Sequence, residues 1–157
     1  MQTTTIRRAV AADAEPLTAL MHASGAYRGA YFSIIADYRV TADYIDRHRV
    51  FVATAPDGDG QGGRGEHVLG FYSLVLDPPE LDLAFVADQA QGTGVGRLLI
   101  THMIDQARAA DLTEVRVVSH PPAEAFYRRM GAHRVGTVAP TSPKVAWERP
   151  ELRFAVA

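Results

Sequence analysis

The spacing of apolar positions along the chain predicts seven short strands and four helices. Short apolar or alternating runs predict strands at residues 3–8, 49–54, 67–76, 80–87, 113–119, 133–138 and 145–156. Apolar residues three and four apart predict helices after Asp13, after Thr41, at 94–110 and from 121. Strands and helices in this order favour the α/β (α+β) class, with a mixed sheet and helices on both faces.

The ends of these helices carry recognisable signals. Asp13 and Thr41 are expected N-caps, and Gly131 is the expected C-terminal stop. The buried faces are expected to be Leu17, Leu20 and Met21 in the first helix, Val95, Leu98, Leu99, Met103 and Ala107 in the third, and Ala123, Phe126, Tyr127 and Met130 in the fourth.

Length and composition narrow the class of protein. The 157 residues suit a single domain, 1–157, and can bury a full core. Without cysteine, the chain has no disulfide, zinc thiolate or cysteine nucleophile. A net charge of −2 with interspersed signs does not favour a nucleic-acid partner. No signal-peptide pattern and no apolar run of about 18 residues is seen, so we expect a cytoplasmic protein without a membrane partner.

Two glycine-rich segments are candidates for phosphate binding. Residues 56–65 contain five glycines but no following helix and no Lys-Ser/Thr pair, so we interpret them as a hairpin connection. Residues 91–96 lie between a strand and a helix. Glycines there leave the backbone N–H groups accessible, and together with the helix dipole these groups can bind a pyrophosphate. Their spacing, Gln91-x-x-Gly94-x-Gly96, fits neither a dinucleotide fold nor a P-loop.

This segment resembles the acyl-CoA signature [R/Q]-x-x-G-x-[G/A] of the GNAT superfamily of N-acetyltransferases. A second segment, Ala123-Glu124-Ala125-Phe126-Tyr127-Arg128-Arg129-Met130-Gly131-Ala132, is similar to the family's A-x-x-F-Y-x-[K/R]-x-G-[F/A] helix. The element order matches over nearly the whole chain, so the resemblance implies a single-domain GNAT fold. Its sheet of six or seven strands would splay between the fourth and fifth.

The resemblance also implies a site for acetyl-CoA as co-substrate. The pantetheine would enter the splay and pair with backbone near Phe85 and Val86. The pyrophosphate would bind the loop residues Gln91, Gly92, Thr93, Gly94, Val95, Gly96 and Arg97. Phe126 is also expected to contact the cofactor. The chain departs from the family at His120, where an asparagine that bonds the pantetheine is frequent, although an imidazole can still form a hydrogen bond.

Acetyl transfer to an amine needs a proton donor for the leaving thiolate. Tyr127 matches the family's tyrosine near the sulfur, and a phenol can protonate a thiolate. The alternative is that Tyr127 only packs its helix against the sheet. Glu80 and Asp82, at the start of the strand that leads into the loop, are candidate bases, with a solvated strand end or attraction of a cationic substrate as alternatives.

The acceptor side is less specific. Aromatic residues near 27–38 lie where the family builds its acceptor wall, so Tyr27, Arg28 and Tyr31 are candidate substrate contacts, alongside Phe32 and Tyr38. Trp147 remains open between core, acceptor pocket and dimer contact. The histidines lack metal-ligand spacing, so no metal is expected, and no G-x-S-x-G motif indicates a serine hydrolase.

The resulting hypothesis is an N-acetyltransferase that moves an acetyl group from acetyl-CoA to a primary amine of a small molecule, within a ternary complex. One alternative is a non-catalytic acyl-CoA-binding regulatory domain; another is an acetyltransferase acting on a protein or aminoacyl-tRNA amine. The resemblance further implies a homodimer.

Overall fold

The structure is a computed structural model that describes residues 4–24, 38–56, 66–140 and 148–156. The strands are β1 (Thr5–Arg8), β2 (Arg49–Pro56), β3 (Glu66–Leu76), β4 (Pro79–Val86), β5 (Glu114–Val118), β6 (His133–Val138) and β7 (Arg149–Ala155). The α-helices are α1 (Ala14–His22), α2 (Ala42–Arg47), α3 (Val95–Ala109) and α4 (Glu124–Arg129). Each predicted strand and helix is therefore present, with ends moved by a few residues.

The seven strands form one mixed sheet in the order β1-β2-β3-β4-β5-β7-β6. Neighbours are antiparallel except β4 and β5, which run parallel. Within the described residues, the register between β4 and β5 consists of Glu80 opposite Arg116. Beyond that pair the two strands separate, so the predicted splay between the fourth and fifth strands is confirmed.

Helices cover both faces of the sheet, as predicted. Alternation along β2 sends Phe51 and Ala53 to one core, where α3 and α4 pack, and Val50 and Val52 to the other, where α1 and α2 pack. Two layers of helices therefore bury the sheet and leave the gap between β4 and β5 as the place where it is interrupted.

A β-bulge interrupts the pairing of β3 with β4. Ser73 lies opposite Leu83 and Leu74 lies opposite Leu81, so Asp82 is an extra residue without a direct partner. As a result Leu81 joins the core under α3, while Leu83, two residues later, joins the core under α1. Simple period-two alternation therefore does not describe the segment that holds Glu80 and Asp82.

Two local predictions are confirmed and two are wrong. Thr41 caps α2, its hydroxyl accepting from the Tyr44 N–H at 3.0 Å, and Gly131 follows α4 with a φ of 108°. Asp13 does not cap α1: its carboxylate binds the Arg7 guanidinium at 2.8 Å and the Val10 N–H at 2.8 Å. Leu98 is 47% exposed, because its position on α3 lies beyond the edge of the buried stripe.

No helix in the described ranges combines the length and hydropathy of a transmembrane span. The glycine-rich segment at 57–65, the turn residues at 141–143 and Trp147 lie outside the described residues.

Candidate active site

The loop between β4 and α3 is shaped by two glycines in the left-handed region. Gly92 has a φ of 78° and Gly94 a φ of 91°, values that residues with a Cβ adopt only under strain. The first bond inside α3 runs from the Leu98 N–H to the Gly94 carbonyl at 3.0 Å. The N–H groups of Val95, Gly96 and Arg97 therefore begin the helix without intrahelical acceptors, which is the arrangement that binds anions.

Two side chains hold this loop in shape. The Gln91 amide donates to the Val86 carbonyl at 3.1 Å, and the Thr93 hydroxyl donates to the Ala90 carbonyl at 2.5 Å. Both bonds are internal to the loop and its preceding strand. In this structure the side chains of Gln91 and Thr93 therefore organise the loop.

A cavity of about 630 Å³ opens beside the loop. It brings together most of the residues predicted to bind the cofactor: Phe85, Val86, Gln91, Gly92, Gly94, Gly96, Arg97, His120 and Phe126. Thr93 and Val95 do not line it. The Val95 side chain is 3% exposed and packs in the core, so only its backbone faces the loop.

The close packing of Gly96 shows why a glycine suits this position. A Cβ there would lie 3.2 Å from Cζ of Phe126 and 3.6 Å from Cγ2 of Val86. A larger side chain would therefore fill the space between the first turn of α3 and the start of α4, where the cavity lies.

Sequence reasoning missed Arg129, which also lines this cavity. Arg97 on α3 and Arg129 on α4 therefore give this cavity two exposed arginines. The signal was available, because Arg129 occupies the basic position of the Phe-Tyr helix motif. The chemistry of the walls, with N–H groups, two guanidiniums and an apolar floor, fits a ligand that carries phosphates on an extended organic arm.

A second cavity, of about 290 Å³, is lined by residues of both β4 and β5. Its polar lining includes Glu80 and Asp82 from β4, Arg116 from β5, Arg149 from β7, and Tyr38. The two cavities share four residues, Ala84, Phe85, His120 and Tyr127. Ligands in the two cavities would therefore meet at these residues.

Tyr127 lies at this meeting point. It is 8% exposed, and its ring contacts those of Phe126 and Phe154 at centroid distances of 5.4 and 6.3 Å. Burial raises the pKa of Tyr127 to about 12, so the phenol is protonated at neutral pH. The group can donate a proton or a hydrogen bond, and it also packs α4 against the sheet.

Glu80 and Arg116 join β4 to β5 through their side chains as well as their backbones. The Arg116 guanidinium lies 3.6 Å from the Glu80 carboxylate and donates to Glu151 at 2.7 Å. Burial raises the pKa of Glu80, with Arg116 opposing the rise and Asp82 adding to it. The hydrogen bond from Arg116 lowers the pKa of Glu151. The proton affinity of Glu80 is thus increased.

Asp82 has a different environment. The Tyr44 hydroxyl donates to its Oδ2 at 2.5 Å, and the same hydroxyl contacts the Ser73 hydroxyl. The predicted acceptor contacts Tyr27, Arg28 and Tyr31, and the neighbouring Phe32, lie outside the described residues. Tyr38 is described and does line the cavity; burial and the carboxylates of Asp82 and Glu80 raise its pKa.

The sequence pattern of the acetyltransferase (GNAT) domain matches residues 35–139, about two thirds of the chain. The chain belongs to the GNAT family. It is an acetyl-CoA-dependent acetyltransferase, and the resemblance noted in the sequence is confirmed. No curated protein sequence gives a significant match.

Solved GNAT structures share the fold over almost the full length. A putative acetyltransferase from Salmonella typhimurium, solved with its cofactor acetyl-CoA, superposes with a TM-score of 0.71 at 20% identity, covering 99% of this chain and 95% of that one. Nourseothricin acetyltransferase gives 0.68 at 21% identity, with coverages of 98% and 99%. The ribosomal-protein-S18-alanine N-acetyltransferase from Escherichia coli gives 0.66 at 18% identity, with coverages of 99% and 95%.

Metal ligands are not clustered in the part of the chain that the structure describes: no three His, Asp or Glu side chains there are placed to hold an ion.

Proposed function

We propose that this GNAT protein acetylates the primary amine of a small molecule by direct attack within a ternary complex. The observation that carries the proposal is the meeting of two cavities at Tyr127. The larger one has the chemistry for acetyl-CoA, and the smaller one has carboxylates for an amine. A volume of about 290 Å³ is at the lower end for small-molecule sites, which favours a small acceptor.

The larger cavity would hold the co-substrate through backbone and cationic groups. The N–H groups at the start of α3 would bind its pyrophosphate, with Arg97 and Arg129 close to the phosphates. Phe85 and Val86 would pair with the pantetheine, and His120 and Phe126 would line its path. Bound there, acetyl-CoA supplies a thioester that an amine can cleave.

In the smaller cavity, Glu80 is our candidate base. Its raised pKa increases its affinity for the proton that the attacking nitrogen loses, directly or through a water. Tyr127 is our candidate acid and would give its phenolic proton to the sulfur as the carbon–sulfur bond breaks. Solvent then restores the phenolic proton, so the products are an amide and CoA.

The experiment has two arms. The first measures thiol release from acetyl-CoA across a panel of simple amines, amino acids, aminoglycosides, polyamines and peptides. Turnover with a small amine supports the proposal. Turnover with peptides alone would favour a protein acceptor, which is the kind of substrate that the name of the ribosomal-protein-S18-alanine enzyme indicates for that protein. Binding without turnover on any acceptor would favour the regulatory domain.

The second arm tests the location of acetyl-CoA. At 100 times Kd a ligand of the native state adds about 2.7 kcal/mol, which in a domain of this size raises Tm by roughly 5–10 °C. Gly96→Val should abolish this shift, because its side chain would fill the gap beside Phe126. Gly136→Val in β6 is the matched control, since a Cβ there meets only the Glu151 carboxylate, at 3.5 Å.

We further propose a single domain over residues 1–157 that forms a homodimer in the cytoplasm. The exposed edge strand β6 supports a self-association surface. Light scattering should report twice the chain mass of 17.0 kDa, and a monomer at high concentration would refute the dimer. Cell fractionation tests the location.

A further inference from the structure

Asp82 owes its position to the bulge in β4. Because Ser73 and Leu74 pair with Leu83 and Leu81, the residue between the two leucines lies outside the ladder. Bulges re-aim side chains in this way. Asp82 consequently reaches both the smaller cavity and a side chain that comes from α2.

That side chain is Tyr44, which α2 presents rigidly. The Tyr44 N–H donates to the hydroxyl of the capping residue Thr41, and the neighbouring Ile45 is buried in the core under α1 and α2. The Tyr44 hydroxyl lies between Asp82 Oδ2 and the hydroxyl of Ser73, a residue with no exposed surface. Since Ser73 can donate to the phenolic oxygen, the phenolic proton is directed to Asp82.

The two carboxylates of the cavity are therefore held by different partners. Glu80 is paired with the Arg116 guanidinium. Among the residues that the structure describes, no basic side chain forms an ion pair with Asp82, whose partner is the neutral phenol of Tyr44. A neutral donor fixes the rotamer of a carboxylate and leaves its negative charge uncompensated. A cationic group of a ligand could therefore pair with Asp82 without displacing a described basic side chain.

We propose that Tyr44 is a positioning residue that holds Asp82 so that Oδ1 binds the amino group of the acceptor, which makes the pair a specificity determinant for cationic amines. This inference rests on the proposed function and gives the two carboxylates different roles. Asp82 binds the acceptor nitrogen, and Glu80 takes its proton. Tyr44 itself acts only through Asp82.

The kinetic test is a double-mutant cycle with Tyr44→Phe and Asp82→Asn, using the panel amine of highest kcat/KM. A hydrogen bond to a charged group predicts that Tyr44→Phe raises the acceptor KM roughly ten-fold, while kcat and the acetyl-CoA KM stay within about two-fold. In the Asp82→Asn background, Tyr44→Phe should add nothing further, because its effect passes through the missing carboxylate.

Tyr72→Phe is the matched control. The hydroxyl of Tyr72, like that of the half-buried Tyr44, bonds a neighbour, His102 Nδ1 at 2.8 Å. Tyr72 is fully buried in the core under α3 and does not line the acceptor cavity. Its loss of stability should resemble that of Tyr44→Phe, with an unchanged acceptor KM. An unchanged acceptor KM in Tyr44→Phe, or additive effects in the double variant, would overturn the proposal.

A second measurement does not depend on turnover. A phenol with a short hydrogen bond to a partly buried carboxylate gives a downfield hydroxyl proton in the NMR spectrum, which should vanish in Tyr44→Phe and move in Asp82→Asn. Addition of 1,4-diaminobutane should shift it saturably in wild type and not in Asp82→Asn. A wild-type signal indifferent to the diamine refutes the amine-binding role. A response without acetyl transfer on any amine refutes the proposed function alone.

Discussion

Replacement of Tyr127 by phenylalanine separates catalysis from packing at the junction of the two cavities. The ring keeps its contacts with Phe126 and Phe154, at centroid distances of 5.4 and 6.3 Å, and only the hydroxyl is lost. Tyr127 lines both cavities. Its hydroxyl is the group of the side chain that can donate a proton to a leaving sulfur. We therefore expect the variant to fold and to bind acetyl-CoA nearly as well as wild type.

The size of the effect follows from the pKa of Tyr127. Burial raises this pKa to about 12, whereas an ordinary thiol has a pKa near 8.5. Complete proton transfer to a free thiolate would be uphill by about 3.5 pKa units, or roughly 5 kcal/mol. The phenol therefore acts mainly as a hydrogen-bond donor whose proton moves as the bond to sulfur breaks. A thiolate also leaves well unaided, so we expect kcat to fall about 10- to 100-fold, below the upper range for acid catalysis.

Steady-state thiol release with saturating acceptor measures kcat, and the thermal shift with acetyl-CoA measures binding. A wild-type kcat in Tyr127→Phe would show that the acid role is wrong and that the residue is structural. Loss of the thermal shift would instead show that the hydroxyl positions the co-substrate. In that case the proton on sulfur comes from water.

Two further predictions concern titrating groups. Because burial raises the pKa of Glu80, the plot of kcat against pH should have an acid limb with a midpoint above the usual 4.5. Arg116 opposes the rise, so Arg116→Gln should move this limb to higher pH, and Glu80→Gln should remove it. An unchanged limb in Glu80→Gln would exclude Glu80 as the base. Arg7 lowers the pKa of Asp13, so this pair stabilises the protein above about pH 4 and the gain is lost as pH falls through the lowered pKa. Asp13→Asn should cost about 2 kcal/mol at pH 7, or about 4–8 °C in Tm, with the difference from wild type shrinking in acid. The exposed Asp105, 3.3 Å from Arg108, is the control, and Asp105→Asn should change Tm by less than about 2 °C. Equal losses in the two variants would contradict the assignment to Asp13.

Local patterns account for most of the fold that could be predicted. Outside the bulge in β4, strand alternation, the Thr41 cap and the stop at Gly131 each depend on a few neighbouring residues and were found as expected. Asp13 does not act as a cap because its carboxylate binds the charged guanidinium of Arg7, on the preceding strand, and the Val10 N–H instead of the helix N–H groups. The capping pattern considers only the residues of the helix start and does not include these competing donors.

The candidate site divides in the same way. The glycine loop and the Phe-Tyr helix are contiguous motifs, so their residues could be named from the sequence, although Val95 turned inward to the core. The bond between Tyr44 and Asp82 could not be predicted. It requires the bulge opposite Ser73, which is a property of strand pairing rather than of either strand alone.

In the described sheet, the divergence of β4 and β5 after their one paired position, Glu80 opposite Arg116, affects how an inner strand edge is kept from pairing with other chains. From Leu81 onward, β4 presents a free strand edge that lies inside the molecule rather than at its rim. Exposed strand edges invite pairing with other chains, and proteins usually blunt them with charges, prolines or covering loops. Here the edge lies in the middle of the sheet, beside the diverging β5, so another chain could pair with it only by entering the gap between the two strands. We expect this gap to admit a single extended ligand whose amide groups can pair with the β4 backbone more readily than a strand of another protein.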